Sequence, residues 1–501
     1  MDDRLRGIGL GVVALIGLSC MLAWLDFRGF LPQDLEFLGA KALVARYGPE
    51  PRMQSIGFVF PPLLVYGALA LGSPITLQVL MGALVVGCLA RGMRRLPLSP
   101  SWRWTWIILI VLHPAFAFMV LLSPAWTVTT ALLMWLWALL WGLVHAESAV
   151  SSTSLPRISA LVLAGLGMAL LVLLRYESWL LLPVVGVIAG LVFQRDSWPS
   201  RGAAMLMTLF MSVVFIAAWL YVNWLFTGDA SYFLHSPYSG WRLPGTDMFV
   251  QQAGVFASWG EVAGWMVYVA PVYLTSATWL IWCERRKGLV SLVLVIPIVF
   301  PLAAFWQGNF TPQLSRFGLL LGLLPLLWRQ CPPSAPWQRL MITAMLVLSL
   351  IGGAVQLQRS QCTPEETFLW RDLTGQPIPE GSSAQQWARQ QHAKRRVARV
   401  LVEYMQPGQR VLMDDVMNFA VVYLVNDPRY FIMPYHYEFA PALQQPDLYT
   451  DFILIAGPES SVKEQDRVLQ FWPQLDQAAL PKFTELVGTP YYRVLQRVTS
   501  P

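Results

Sequence analysis

Two places in the sequence set acids or a guanidinium where an apolar stretch ends. The segment FLPQDLEFLGAKALVARYG carries Asp34 and Glu36 at the head of an expected amphipathic helix that stops at Gly48-Pro49. The segment LLRYESWLLLP carries Arg175 and Glu177 between two apolar runs. Charge at the edge of hydrocarbon is costly, so both places are candidates for function. A partly desolvated carboxylate can take a proton from a hydroxyl, and an arginine fork can hold a phosphate. Structural roles compete. Residues two apart on a helix face different ways, so only one of Asp34 and Glu36 can point at a shared centre while the other caps or pairs. Asp34 follows Pro32 and can cap the helix N-terminus. Arg175 can snorkel to an interface and pair with Glu177, and the flanking Tyr176 and Trp179 suit an interfacial belt.

Other places are weaker. FTGDASYFLHSPYSGWRLPG gathers Asp229, Tyr232, His235, Tyr238 and Arg242, and its hydroxylated aromatics suit sugar or headgroup contact. QGNFTPQLSRF adds Gln307, Asn309, Gln313 and Arg316 at another edge. Its glycosylation sequon at Asn309 is discounted because the loop is short and lies at the membrane. Tyr232, His235 and Arg316 therefore stand as expected substrate contacts. Asp414-Asp415 can bind a metal or a sugar, but a solvated strand end is the preferred reading. There is no CxxC or HExxH, and the tail has no GxGxxG or GxxxxGK[ST]. The five cysteines are spread out, so neither an intramolecular disulfide nor a structural zinc site is expected.

The composition says what must position these groups. Of 501 residues only 13% are charged and 56% are hydrophobic, against about 25% charged in a soluble domain. A soluble surface, a disordered chain and a disulfide scaffold are excluded. The net charge of +6 forms no stripe, which argues against nucleic acid. Apolar blocks of ~17–23 residues match the length of a membrane-crossing helix. The expected spans are 8–25, 75–93, 103–122, 127–145, 158–174, 179–193, 204–225, 262–283, 289–306, 317–330 and 338–357, about eleven in all. Alternate loops carry Arg91, Arg94, Arg95 and Arg103; Arg157; Arg195 and Arg201; Arg285, Arg286 and Lys287; and Arg329 and Arg339. The positive-inside rule puts these loops, with Arg4 and Arg6, in the cytoplasm. The acids at 34 and 36, the RYES turn and the C-terminal tail then face outward. The first span reads as a retained anchor, because it is long for a signal core and no Ala-x-Ala-like site follows. Phe60–Gly72 is apolar but short and opens on Pro61-Pro62, which fits an interfacial or re-entrant helix.

The expected fold class is a polytopic α-helical membrane protein with a small C-terminal extracytoplasmic α/β domain. Residues 1–357 form the membrane domain, 358–395 a polar linker and exposed helix, and 396–501 the α/β domain. In the tail, strands are expected at QRVLMDD, RYFIM and DFILIAG. Helices are expected at VARVLVEYMQ, VMNFAVVYLV and 461–475, and a hairpin at FTELVGTPYYRVLQRV.

An acid in a long first outer loop, a helix of the form D-x-x-x-x-x-A-x-A-L and a Phe/Tyr-Pro-Pro-Leu motif together resemble the membrane glycosyltransferases of the GT-C fold. The matching residues are Asp34, Ala40, Ala42, Leu43 and Phe60-Pro61-Pro62-Leu63. The spacing is most similar to polyprenol-phosphate-mannose-dependent mannosyltransferases and their relatives. RYES is similar to an R-x-E-G turn, and FTGDASYFLHS to a G-D/N-P-x-Y-F loop, of related enzymes. Ser178 stands for the glycine, Ala230 for the proline, and D-x-E for the paired acids; a soluble tail is not general in the mannose-using group. The resemblance covers residues 1–330. It implies an inverting glycosyltransferase that moves a hexose or pentose from a polyprenyl-phosphate donor to a glycan, lipid or protein acceptor in the outer leaflet. Asp34 would be the base, with Glu36 and Glu177 as second choices for base or orienter. Arg175 would hold the lipid phosphate, and the FPPLL segment would floor the site. A divalent cation assists some GT-C enzymes, although no ligand cluster here demands one.

The rivals are a lipid-linked polysaccharide polymerase and a transporter or flippase of envelope glycans. A transporter would carry ionisable groups deep in its spans or two broken-helix repeats. Here the polar groups gather on one face, and His113-Pro114 is an isolated break. The bacterial inner membrane is the expected location.

Overall fold

The computed structural model describes residues 3–50, 61–145, 155–193, 197–235, 259–284, 287–306, 313–359, 362–460, 463–476 and 480–498. Tyr238, Arg242, Gln307, Asn309 and Phe60 lie outside these residues, as do Arg195, Arg285 and Arg286.

Helices dominate: α1 Asp3–Phe27, α2 Gln33–Tyr47, α3 Leu63–Leu71, α4 Pro74–Arg94, α5 Pro100–Val111, α6 Pro114–Leu122, α7 Pro124–His145, α8 Leu155–Leu174, α9 Leu181–Val192, α10 Trp198–Thr227 and the short α11 Tyr232–His235. Helices Trp259–Val269, Pro271–Cys283, Lys287–Trp306, Gly318–Gly322, Leu324–Gln330 and Pro336–Gln358 follow. Prolines set many of the starts. Pro74 opens α4 behind Ser73, whose hydroxyl accepts from Thr76 N, and Pro114 opens α6 behind His113. A proline at the first helical position lacks an N–H that would have no partner there.

Among the described residues, four helices are long and apolar enough to cross a membrane: Pro74–Arg94, Pro124–Val144, Trp198–Thr227 and Pro336–Gln358. Two stretches expected as single spans are bent pairs instead. The α5–α6 pair bends by 61° at His113-Pro114, and Gly260–Val269 meets Pro271–Cys283 at 93°. Proline cannot donate to the preceding turn, so the rod breaks there. Residues 317–330 form short pieces, and Leu319, Leu320, Leu321, Leu323 and Leu324 in them are fully buried. They plug the centre and face no lipid. By contrast α10 leaves Leu206, Phe210, Val213 and Trp224 exposed, an apolar face suited to acyl chains. Several polar groups inside the bundle find partners there, as a bilayer favours. Gln78 donates to Val120 O and Thr127 Oγ1, and His113 bonds Ser349 Oγ at 2.9 Å.

The tail carries a five-stranded sheet of β1 Val411–Met413, β2 Phe431–Ile432, β3 Phe452–Ala456, β4 Phe483–Gly488 and β5 Tyr492–Arg497. The order is β2-β1-β3-β5-β4, parallel across β2, β1 and β3 and antiparallel from β3 to β4. The expected hairpin is β4–β5. Asp414-Asp415 corrects the reading of a solvated strand end, because both acids are buried. Asp414 accepts from Arg467 N at 3.0 Å, and Asp415 pairs with Lys41 of α2 at 2.6 Å.

Part of 358–395 also differs from a polar linker with an exposed helix. Helices Pro364–Thr374 and Ser383–Tyr404 bury Cys362, Leu369 and Trp387 in the membrane-domain core. Phe30, after α1, stacks on Phe368 at 5.8 Å and tilts onto Trp387 at 5.1 Å. Arg28 pairs with Asp372 at 2.6 Å. Aromatic positions at helical spacing gave no sign of this partner.

The expected surface amphipathicity of α2 is replaced by burial on several faces. Leu35 belongs to the membrane core, whereas Ala40 and Val44 belong to the core of the tail. Phe37 meets Phe419 edge-on at 5.3 Å. Gly39 lies under Tyr423: a Cβ there would come within 2.2 Å of the ring. Gly39→Ala is expected to destabilise the protein by about 1–3 kcal/mol, the usual cost of overpacking. Thermal unfolding in detergent checks this, and an unchanged midpoint would show the ring to be free to move.

Candidate active site

Asp34 sits in the first turn of α2, where a carboxylate complements the helix dipole. It does not take the capping role open to it from sequence: its Oδ2 accepts from Ser123 Oγ at 2.8 Å, across to the α6–α7 junction. That junction is held in turn. The Thr127 hydroxyl lies 2.9 Å from Ser123 O and 2.7 Å from Met119 O, and receives Gln78. Protein surrounds Asp34 deeply enough to desolvate it, yet its side chain is exposed.

Arg175 stands where α8 ends in extended backbone, before the 3-10 turn Tyr176–Leu180. Its guanidinium is bidentate to Glu177, at 2.6 and 3.2 Å. It also lies 3.8 Å over the indole of Trp126, in the first turn of α7. The same indole carries Arg316 at 5.4 Å. Arg316 belongs to the single 3-10 turn Leu314–Phe317, and its Nε donates to Gln313 Oε1 at 2.8 Å. Trp126 Nε1 donates to that same oxygen at 3.3 Å. One ring therefore registers two guanidiniums, each cation–π contact being worth about 0.5–2 kcal/mol.

The electrostatics tie these groups into one neighbourhood. Burial raises the Asp34 carboxyl above its usual range, and the Ser123 hydrogen bond, Arg175 and Arg316 offset part of that. For Glu177 burial acts upward, but Arg175 and Arg316 prevail and hold it below the ordinary range. Arg316 is lowered to about 10 by burial and by Arg175, against Glu177, Glu366 and Asp34.

The other expected residues fall differently. Glu36 turns away from Ser123 and pairs with Lys394 of helix Ser383–Tyr404, both nearly fully buried. It is the pairing acid of the two. Burial raises Glu36 and lowers Lys394, and each partner opposes the shift in the other. Tyr232 is half-buried in an aromatic cluster with Tyr176, Trp179 and Phe233. Phe233 stacks on Tyr176 at 4.5 Å, so the 229–235 loop packs on the RYES turn. The backbone of His235 closes α11, while its side chain lies outside the described residues. Asp229 accepts from Ser231 N and Oγ, both at 2.8 Å, and shapes its own turn. Pro62 opens α3, the short helix expected within Phe60–Gly72.

Two tail acids join the site that sequence reading left out. Glu365 Oε1 accepts from Gln33 N at 3.1 Å and so caps α2, a task Pro32 cannot perform. Burial, then the neighbouring Asp34, pushes Glu365 up to about 8. Glu366 accepts from Leu314 N and Ser315 N, both at 2.8 Å. Thr363-Pro364-Glu365-Glu366 has the capping-box spacing, and Thr363 Oγ1 accepts from Glu366 N at 3.4 Å. That signal announces a helix start but not where the helix docks.

Four of the acids near the site already hold partners. Asp34 is engaged by Ser123, Glu177 by Arg175, Glu36 by Lys394 and Glu366 by two backbone N–H groups. Among the described residues no three His, Cys, Asp or Glu side chains converge as ligands.

No family model and no curated protein matches the sequence. Solved structures do match in shape. ArnT from Cupriavidus metallidurans bound to undecaprenyl phosphate superposes with a TM-score of 0.57 at 10% identity, over 98% of this chain and 97% of that one. The same protein in the apo state gives 0.53 at 11% identity, over 99% and 98%. At such identity the likeness is one of fold. The chain has the GT-C fold, with helices long and apolar enough to cross a membrane among the described residues and a small C-terminal sheet domain.

Proposed function

We propose that the chain is an inverting glycosyltransferase that moves a sugar from a polyprenyl-phosphate donor to an acceptor at the extracytoplasmic face of a bacterial inner membrane. The observation that carries this reading is the meeting of Arg175 and Arg316 on the Trp126 ring, with Asp34 near enough for both cations to oppose the rise in its pKa. A base with two cations close by suits attack on a carbon whose leaving group is a phosphate.

In this reading an acceptor hydroxyl attacks the anomeric carbon opposite the phosphate. Asp34 takes the hydroxyl proton, the new C–O bond forms, and the bond to the phosphate oxygen breaks with its electron pair. The polyprenyl phosphate leaves bearing more negative charge. Arg175 and Arg316 face that growing charge and favour the transition state. Burial raises the basicity of Asp34, and the Ser123 hydroxyl keeps it aimed. Glu177 orients Arg175 and compensates its charge before the donor arrives. No step runs through a metal. The fold likeness to a protein bound to undecaprenyl phosphate supports a donor of that class. The sugar is a hexose or pentose, and the acceptor a glycan, lipid or protein. The rule that keeps basic loops in the cytoplasm supports an outward-facing site and tail.

The test is purified protein in lipid, offered a panel of polyprenyl-phosphate sugars, with donor loss as the readout. At least one donor should be consumed with release of polyprenyl phosphate; no consumption of any, with cell-envelope acceptors present, would reject the reading. Arg175→Ala should raise the donor KM about 10–100-fold, the worth of a charge-assisted hydrogen bond. An unchanged donor KM would remove Arg175 from the phosphate site.

A further inference from the structure

The tail enters the site through Glu366, and its role there goes beyond bracing. We propose that Glu366 is a positioning residue for Arg316: its carboxylate holds the Leu314–Phe317 turn so that the guanidinium is presented to the phosphate of the donor. This rests on the reading of the site given above.

The geometry is specific. A lone 3-10 turn has backbone N–H groups with no partner inside it. Leu314 N and Ser315 N both donate to Glu366, one to each carboxylate oxygen, at 2.8 Å. All three residues are almost fully buried, so water is no substitute. A carboxylate, with two acceptor oxygens and no donor, takes both N–H groups at once, one on each oxygen. Arg316 follows directly, and its other restraints include Gln313 and the Trp126 ring. Glu366 is fixed from its own side by the Thr363 cap and by Leu369 and Phe368 packed in the core. A chain of rigid contacts thus runs from the soluble tail to a cation beside Asp34.

Undecaprenyl phosphate is the probe. Its Kd for the full-length protein in nanodiscs would be measured for wild type, Glu366→Gln, Arg316→Ala and the double variant. The amide of Glu366→Gln turns an N–H toward a backbone N–H and loses one bond. The Kd of Glu366→Gln should rise about tenfold, the worth of one such bond. In the Arg316→Ala background the same change should cost little more, because its effect passes through Arg316. Glu366→Asp, which keeps a carboxylate, should recover part of the affinity. It takes the place of Glu366→Gln in the cycle if that variant does not fold. Additive losses, or a wild-type Kd in Glu366→Gln, would overturn the proposal while leaving the functional reading intact. Failure of the wild type to bind undecaprenyl phosphate would instead remove the functional reading beneath it.

Discussion

Asp34→Asn is expected to lower sugar transfer by about 10³-fold while the protein still inserts and folds, the scale lost with a general base. The side chain keeps its size and can still bond Ser123, so the loss isolates proton acceptance. The pH profile adds a second reading. Base catalysis needs the ionised carboxylate, so kcat/KM falls as pH drops through its pKa. Burial raises that pKa, which places the acid limb above the ordinary aspartate value of about 3.9. Ser123→Ala removes a contact that lowers the pKa and should move the limb further up. The check is a pH–rate series on the three proteins with the donor identified from the panel. Full activity in Asp34→Asn would end its assignment as the base.

The largest expected effect on stability lies at the pair beside it. Lys394→Met leaves Glu36 buried without its cation and should destabilise the protein by about 3–5 kcal/mol. The pair joins α2 to helix Ser383–Tyr404, so the loss should appear as release of the tail from the membrane domain. Glu36→Gln combined with Lys394→Met removes both charges and should restore most of the stability. Denaturation in detergent with a protease-protection assay of the tail measures both. A Lys394→Met protein as stable as wild type would show that water reaches Glu36.

Much of this architecture could be read from local pattern. Apolar run length announced α4, α7, α10 and Pro336–Gln358, because a run of that length has one economical place to go. Alternation and turn residues announced the β4–β5 hairpin and the strands before it, but not the helices Phe439–Gln444 and Pro446–Tyr449 between β2 and β3. Where two runs met at His113-Pro114 or Ala270-Pro271 the pattern misled, since hydropathy does not register a 61° or 93° bend.

Residue type and position at a span end marked Asp34 and Arg175 as candidates, and Arg316 more weakly, and the two-residue offset required Asp34 and Glu36 to serve different ends. Which acid did which depended on Lys394, 358 positions away in sequence. The gathering of both arginines on Trp126, and the arrival of Glu365 and Glu366 from the tail, were likewise settled only by folding. Periodicity tells a helix which face to bury, and charge tells a side chain that it needs a partner. Neither names the partner, because contacts between distant segments depend on packing summed over the whole chain and leave no mark at either end.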